Sequence, residues 1–117
     1  MHTHTREDEL SYVLQGQVGI LIGHEEAVAG PGSYVFKPRG IPHTFWNAGE
    51  TPARIIEIIC PAGFEQYLEK LSVIMARREG QGQPDMGALM ALGAEYGLSF
   101  DMAATGQLLQ KHRLRLS

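Results

Sequence analysis

The chain has 117 residues, enough for one domain with a single hydrophobic core. Its formal net charge of −3 and its pI near 5.9 argue against nucleic-acid binding, which needs clustered positive charge. No apolar run is long enough to cross a bilayer. We therefore expect neither nucleic acid nor a membrane as a partner.

Cysteine usage indicates the compartment. The single cysteine, Cys60, cannot form an intrachain disulfide, and no signal peptide precedes the first motif. These features favour a cytoplasmic protein. Cys60 follows an isoleucine-rich run, which predicts a buried small apolar side chain rather than a nucleophile.

The first half of the chain reads as short extended segments. Between the start and Cys60, apolar stretches alternate with glycine or proline turns, and no helix-length amphipathic pattern appears. Six strands are predicted, at residues 10–15, 18–22, 27–29, 34–36, 43–47 and 53–60. The pattern is typical of an antiparallel sandwich or barrel.

The first long strand is apolar on both faces. Alternation places Leu10, Tyr12 and Leu14 on one face and Glu9, Ser11 and Val13 on the other. One face must line the interior, so we expect the opposite face to be covered as well, by C-terminal helices or by a second subunit.

After Pro61 the apolar period becomes helical. A first helix carries Phe64, Leu68, Leu71 and Met75 and is predicted to stop at Gly80, followed by a linker over residues 80–83. Pro84 suits the first turn of a second helix that ends at Gly97. Asp101 is predicted to cap a third.

Three histidines and one carboxylate form the candidate site. Residues two apart on a strand point to the same side, so His2 and His4 can present two imidazoles to one point. On a strict strand Asp8 would share that side, and Glu9 would do so only if residues 5–8 form a turn that resets the register. His43 follows a stiff approach of prolines and glycine. Imidazoles and a carboxylate without thiolates suit a first-row divalent ion: iron, manganese, nickel, cobalt, copper or zinc.

These residues resemble the two motifs of the cupin superfamily. The first motif, G-x5-H-x-H-x3,4-E-x6-G, is matched from its first histidine onward by His2, His4, Glu9 and Gly16. The second, G-x5-P-x-G-x2-H-x3-N, is matched throughout by Gly32, Pro38, Gly40, His43 and Asn47. The resemblance is greatest to small single-domain cupins similar to quercetin dioxygenases.

The resemblance implies a mainly β, jelly-roll barrel core over residues 1–62 and a C-terminal helical extension over residues 63–117, which packs on the barrel or on a partner. It implies metal ligation by His2, His4, Glu9 and His43. Such cupins carry further strands before the first histidine, and here only Met1 precedes it. The strand bearing His2 and His4 is therefore expected to lack neighbours.

Two functions remain open. One is metal-dependent dioxygenation of a small aromatic or enol substrate, with Glu9 as ligand or proton acceptor and with Val13 and Phe45 lining the pocket. The other is a non-catalytic module that binds a small molecule or metal, since fold alone does not determine reaction. No residue specifically favours a third option, an isomerase. A homodimer is expected, because the face of Leu10 needs a cover.

Overall fold

The computed structural model of the protein describes residues 1–77 and 82–113. Seven strands come first: β1 (His2–His4), β2 (Asp8–Gln15), β3 (Val18–Ile22), β4 (Glu25–Ala29), β5 (Tyr34–Lys37), β6 (His43–Asn47) and β7 (Arg54–Cys60). The remaining elements are α1 (Glu65–Ala76), α2 (Met86–Glu95), β8 (Leu98–Phe100) and α3 (Met102–His112).

The strands form two antiparallel sheets. The five-stranded sheet has the order β4-β3-β6-β1-β8, and the three-stranded sheet has the order β5-β2-β7. This confirms the mainly β, jelly-roll class with C-terminal helices. The two sheets do not close into a barrel, however, because none of the described strands pairs with strands of both sheets.

Strand β1 is paired on both sides. Its neighbours are β6 on one side and β8 on the other, and the β8 register runs from His2 opposite Phe100 to His4 opposite Leu98. The expectation that this strand lacks neighbours was therefore wrong. The sequence pattern predicted only helices after residue 63, whereas β8 returns to the sheet and covers the edge of β1.

Two apolar clusters stabilise the fold. Val13, Val18 and Ile20 form one between the two sheets. Phe64, Tyr67, Leu92 and Leu98 form the other, which joins α1, α2 and β8. The second cluster anchors the C-terminal helices to the strand that covers β1, so burial of apolar surface there stabilises the edge of the five-stranded sheet.

The outer face of the three-stranded sheet is open. Tyr34 is 70 % exposed and Ile58 is 53 % exposed, and none of the described helices covers them. Cys60 is also exposed, so the prediction of a buried cysteine was wrong. It shares the outward side of β7 with Ile58, because alternate residues of a strand face opposite ways.

The helix boundaries agree in part with the sequence pattern. Asp101 caps α3 by accepting from Ala104 N–H at 2.9 Å, as predicted. Pro84 lies before α2 rather than in its first turn, because Asp85 is the N-cap and accepts from Ala88 N–H at 3.0 Å. The predicted stop at Gly80 and the first half of the linker lie outside the described residues.

None of the helices in the described part of the chain combines the length and the apolar composition that a bilayer crossing demands.

Candidate metal centre

Strands of both sheets build the centre. His2 lies directly opposite His43 in the five-stranded sheet, and His4 follows two residues along β1. Glu9 reaches them from β2 in the facing sheet. The residues between β1 and β2 contain a bend that carries the chain from one sheet to the other, so the register is reset and Glu9, not Asp8, faces the histidines.

The loop before His43 is fastened to both neighbouring strands. The Gly40 N–H donates to the His4 carbonyl at 2.7 Å. The Arg39 guanidinium donates to both carboxylate oxygens of Asp8, at 3.2 and 3.1 Å. Gly40 has φ +80°, a conformation that favours glycine. The loop thereby fixes where β6 begins and where the His43 ring lies.

The structure brings all four predicted ligands together. Each of His2, His4, Glu9 and His43 offers a donor atom, and these atoms lie within 4.8 Å of one another. Ligands bound at about 2.1 Å to one ion lie at most about 4.2 Å apart, so an adjustment of a few tenths of an ångström per side chain suffices. His4, Glu9 and His43 are buried, and His2 is partly buried.

The hydrogen-bonding pattern fits a cation between these groups. His43 Nδ1 lies 3.2 Å from the Ile41 carbonyl, which can only accept, so Nδ1 carries the proton. Nε2 of His43 lies 3.0 Å from Glu9 Oε2, and His4 Nε2 lies at the same distance from Glu9 Oε1, so a hydrogen bond at either place needs a proton on the ring nitrogen. Protonating every ring would crowd positive charges whose ring centres lie only 4.5 to 5.6 Å apart. One divalent ion can take the place of these protons between the rings and Glu9.

Glu7 is a further part of the site that sequence reasoning missed. Its Oε2 lies 3.6 Å from His4 Nδ1, and both atoms are buried without a hydrogen-bond partner. A carboxylate behind a ligating histidine is a common partner that orients the ring and raises its basicity. The position of Glu7, three residues after His4, was the available signal in the sequence. A charged residue in a turn is more often solvated, so this signal alone did not indicate a partner for the His4 ring.

Burial and neighbouring rings control the charge of the centre. Burial, with the adjacent His43 and His4, lowers the pKa of His2 to about 3, so its imidazole is neutral and free to ligate. Burial alone would raise the pKa of Glu9. Hydrogen bonds from His4 and His43 and the charges of His4 and Lys37 outweigh it and keep this pKa well below its usual range.

Lys37 is the other residue that the sequence reasoning did not identify. Its side chain is 1 % exposed, and its ammonium lies 3.4 Å from Glu9 Oε2 and pairs with Glu57. Glu57 accepts in turn from the Ser11 hydroxyl at 2.6 Å. A buried ammonium between two carboxylates compensates their charge. The only signal was alternation in β5, which turns Lys37 inward because Tyr34 and Phe36 face outward.

The predicted pocket residues occupy different environments. Val13 is fully buried and belongs to the apolar cluster with Val18 and Ile20. Phe45 is 46 % exposed, and the Lys37 ammonium lies 5.3 Å from its ring centroid. Asn47 stabilises a turn, since it donates to the Thr51 carbonyl and accepts from the Gly49 N–H, each at 2.9 Å.

Comparison with protein families identifies the first half of the chain. A family model described as "Cupin domain" matches residues 1–59. The chain belongs to the cupin family. In this cupin the matched part contains all four ligand candidates together with Glu7 and Lys37. No curated protein matches the chain.

Two solved structures resemble this cupin over about half of its length. The protein TT1209 from Thermus thermophilus is 36 % identical, with a TM-score of 0.49, over 50 % of this chain and 56 % of that one. The conserved SPY1581 protein of unknown function from Streptococcus pyogenes is 22 % identical, with a TM-score of 0.45, over 54 % of each chain. This cupin thus aligns with little more than half the length of either protein.

Proposed function

We propose that this cupin binds one divalent first-row metal ion through His2, His4, Glu9 and His43. The observation that carries the proposal is the convergence of their donor atoms within 4.8 Å from two facing sheets. A divalent ion between Glu9 and the Nε2 atoms of His4 and His43 would replace the protons that these two contacts need in the metal-free protein. Iron, manganese, nickel, cobalt, copper and zinc all suit this donor set.

The reaction we propose for this site is oxidation of a small aromatic or enol substrate by dioxygen, that is, a dioxygenase. Four protein ligands leave positions for substrate on an ion that takes five or six, and such an ion acts as a Lewis acid. Phe45 offers a half-exposed aromatic surface beside Lys37 against which a planar substrate can pack. Val13, with no exposed surface, belongs to the apolar cluster between the sheets and offers no contact surface to a substrate.

A non-catalytic metal- or ligand-binding module is the second candidate, and the state of Glu9 favours it. Both of its carboxylate oxygens are already engaged, by His4 Nε2 and His43 Nε2 at 3.0 Å and by the Lys37 ammonium at 3.4 Å. Glu9 is therefore better suited to ligation than to general-base catalysis. Binding requires ligation alone, whereas the dioxygenase needs a proton acceptor for the substrate hydroxyl.

Metal analysis and oxygen uptake separate these functions. We expect stoichiometric metal in the purified protein, and loss of that metal in the His43→Ala variant, because the variant lacks a buried ligand. Oxygen uptake with a flavonol or another enediol compound would support the dioxygenase, and metal without turnover would support the binding module. Wild-type protein that takes up none of the six metals would refute the proposed metal site and the dioxygenase with it.

A homodimer, a small-molecule partner, the absence of nucleic-acid and membrane partners, and a cytoplasmic location stay predictions of the sequence.

A further inference from the structure

Strand β8 provides most of the backbone pairing of strand β1. It pairs with all three residues of β1, whereas the register with β6 contains only His2 opposite His43. Backbone bonds close both ends, from Asp101 N–H to the Met1 carbonyl at 3.0 Å and from Thr5 N–H to the Gly97 carbonyl at 2.9 Å. The two ligand histidines of β1 therefore depend on a strand from the other end of the chain.

The side chains of Leu98 and Phe100 in β8 lie opposite the two ligand histidines of β1. Bonded and non-bonded pairs alternate along an antiparallel ladder, so His2–Phe100 and His4–Leu98 fall between the bonded pairs, where side chains approach most closely. Leu98 is buried in the cluster with Phe64, whose ring packs edge-on against His4 at 4.8 Å. The C-terminal half thus forms one wall of the centre.

Further bonds attach the first residues of the chain to residues 95–105. Arg6 donates to the Glu95 carbonyl at 2.9 Å, and the Thr5 hydroxyl donates to the Gly97 carbonyl at 2.9 Å. The amino terminus donates to the Thr105 hydroxyl at 2.6 Å. Both ends of β1 are fixed by the same C-terminal segment.

We propose that residues 95–105 form a positioning segment of the metal centre, whose docking on β1 is thermodynamically coupled to metal binding by His2 and His4. The inference rests on the proposed metal binding. A docked β8 places both imidazoles before the ion arrives, so less ordering is needed on binding. Coupling between two equilibria is reciprocal, so a bound metal must also strengthen the docking of the segment.

The Ser99→Pro variant tests whether docking of residues 95–105 on β1 strengthens metal binding. Ser99 lies opposite Thr3 in a bonded pair, so Ser99→Pro removes one ladder bond while its exposed side chain faces away from the centre. We expect a Co²⁺ titration, followed by visible absorption and chelator competition, to show roughly tenfold weaker binding or more. Ser99→Ala is the matched control and should bind as the wild type does.

Hydrogen exchange in the wild type tests the reciprocal effect, that bound metal strengthens the docking of residues 95–105. This measurement does not depend on how the variant folds. Co²⁺ should slow exchange at Ser99 N–H and Asp101 N–H. Strand β4, the edge strand at the opposite end of the same sheet, is the internal control and should change much less. Wild type that binds Co²⁺ without changed exchange at β8 overturns the coupling alone. Wild type that binds no metal overturns the proposed function with it.

Discussion

At the scale of single residues, Glu7 offers a sharp test of the metal centre. Replacing it by glutamine keeps its size and removes the negative charge that faces His4 Nδ1 at 3.6 Å. We expect metal affinity to fall roughly 10- to 100-fold, as for other partners of ligating histidines. Chelator competition measures the change. Glu50→Gln removes an exposed carboxylate in a loop and is the control; equal affinities in both variants would exclude a role for Glu7.

The charge state of His2 predicts how the metal-free protein responds to acid. The unfolded imidazole has its ordinary pKa of 6.5, whereas burial and the adjacent histidines lower the folded pKa to about 3. Between these values the unfolded state binds a proton that the folded state does not, so the free energy of unfolding falls as the pH falls. The lowered pKa of Glu9 acts in the same direction below about 4.5.

Urea unfolding in the presence of a chelator, at a series of pH values between 6.5 and 3, measures this dependence. In His2→Gln we expect a shallower fall, because the variant has no imidazole at this position to titrate. His24→Gln removes an exposed histidine outside the centre and is the matched control. Parallel curves for wild type and His2→Gln would show that the imidazole of His2 does not contribute.

At the scale of elements, β3 and β6 pack through a glycine. Gly19 lies opposite Trp46, and a Cβ at position 19 would overlap the indole ring. Gly19→Ala should therefore lower the free energy of unfolding by about 1–3 kcal/mol, because a packed ring must move. Urea denaturation measures this.

Gly106 provides the comparison, because a Cβ there meets nothing within 4 Å inside α3. Gly106→Ala should raise the free energy of unfolding by about 0.5–1 kcal/mol, since alanine loses less entropy in a helix. A Gly19→Ala variant as stable as the wild type would contradict the close packing of the Trp46 ring against Gly19.

Elements were predictable where their signal is local. The apolar run of β6 lies between a proline and a glycine turn, and its predicted bounds at residues 43–47 match the structure. Strand β8 has three residues between two helical patterns, and its extended state depends on pairing with β1, which lies far away in sequence. Local strand propensity therefore could not reveal β8. Its omission is also why β1 appeared to lack a neighbour.

The candidate metal centre was also predictable only where the sequence carries a local signal. The four ligand candidates could be named because their spacing matches two known motifs, which encode a geometry that many chains share. Glu7 and Lys37 lie outside those motifs, and both are charged residues that are usually solvated. Their burial follows from the packing of two sheets around the site, which a single sequence does not show.

At the scale of the whole molecule, the outer face of the three-stranded sheet favours a second copy of this chain as its cover. Its centre is apolar and carries Leu10, Tyr12, Leu14, Tyr34, Phe36, Ile56 and Ile58. Soluble monomers seldom expose large continuous apolar patches. A two-fold axis between two such faces would cover the apolar centre of each copy with that of the other.

We therefore expect the wild type to have the mass of a dimer in solution and Ile58→Glu to have the mass of a monomer. The substitution places a charge in the middle of the apolar face, where docking would bury it without a partner. Val28→Glu is the matched control, because Val28 is 63 % exposed on β4 of the other sheet. Light scattering at several concentrations measures both. A monomeric wild type, or a dimer that survives Ile58→Glu, would place the contact elsewhere or remove it.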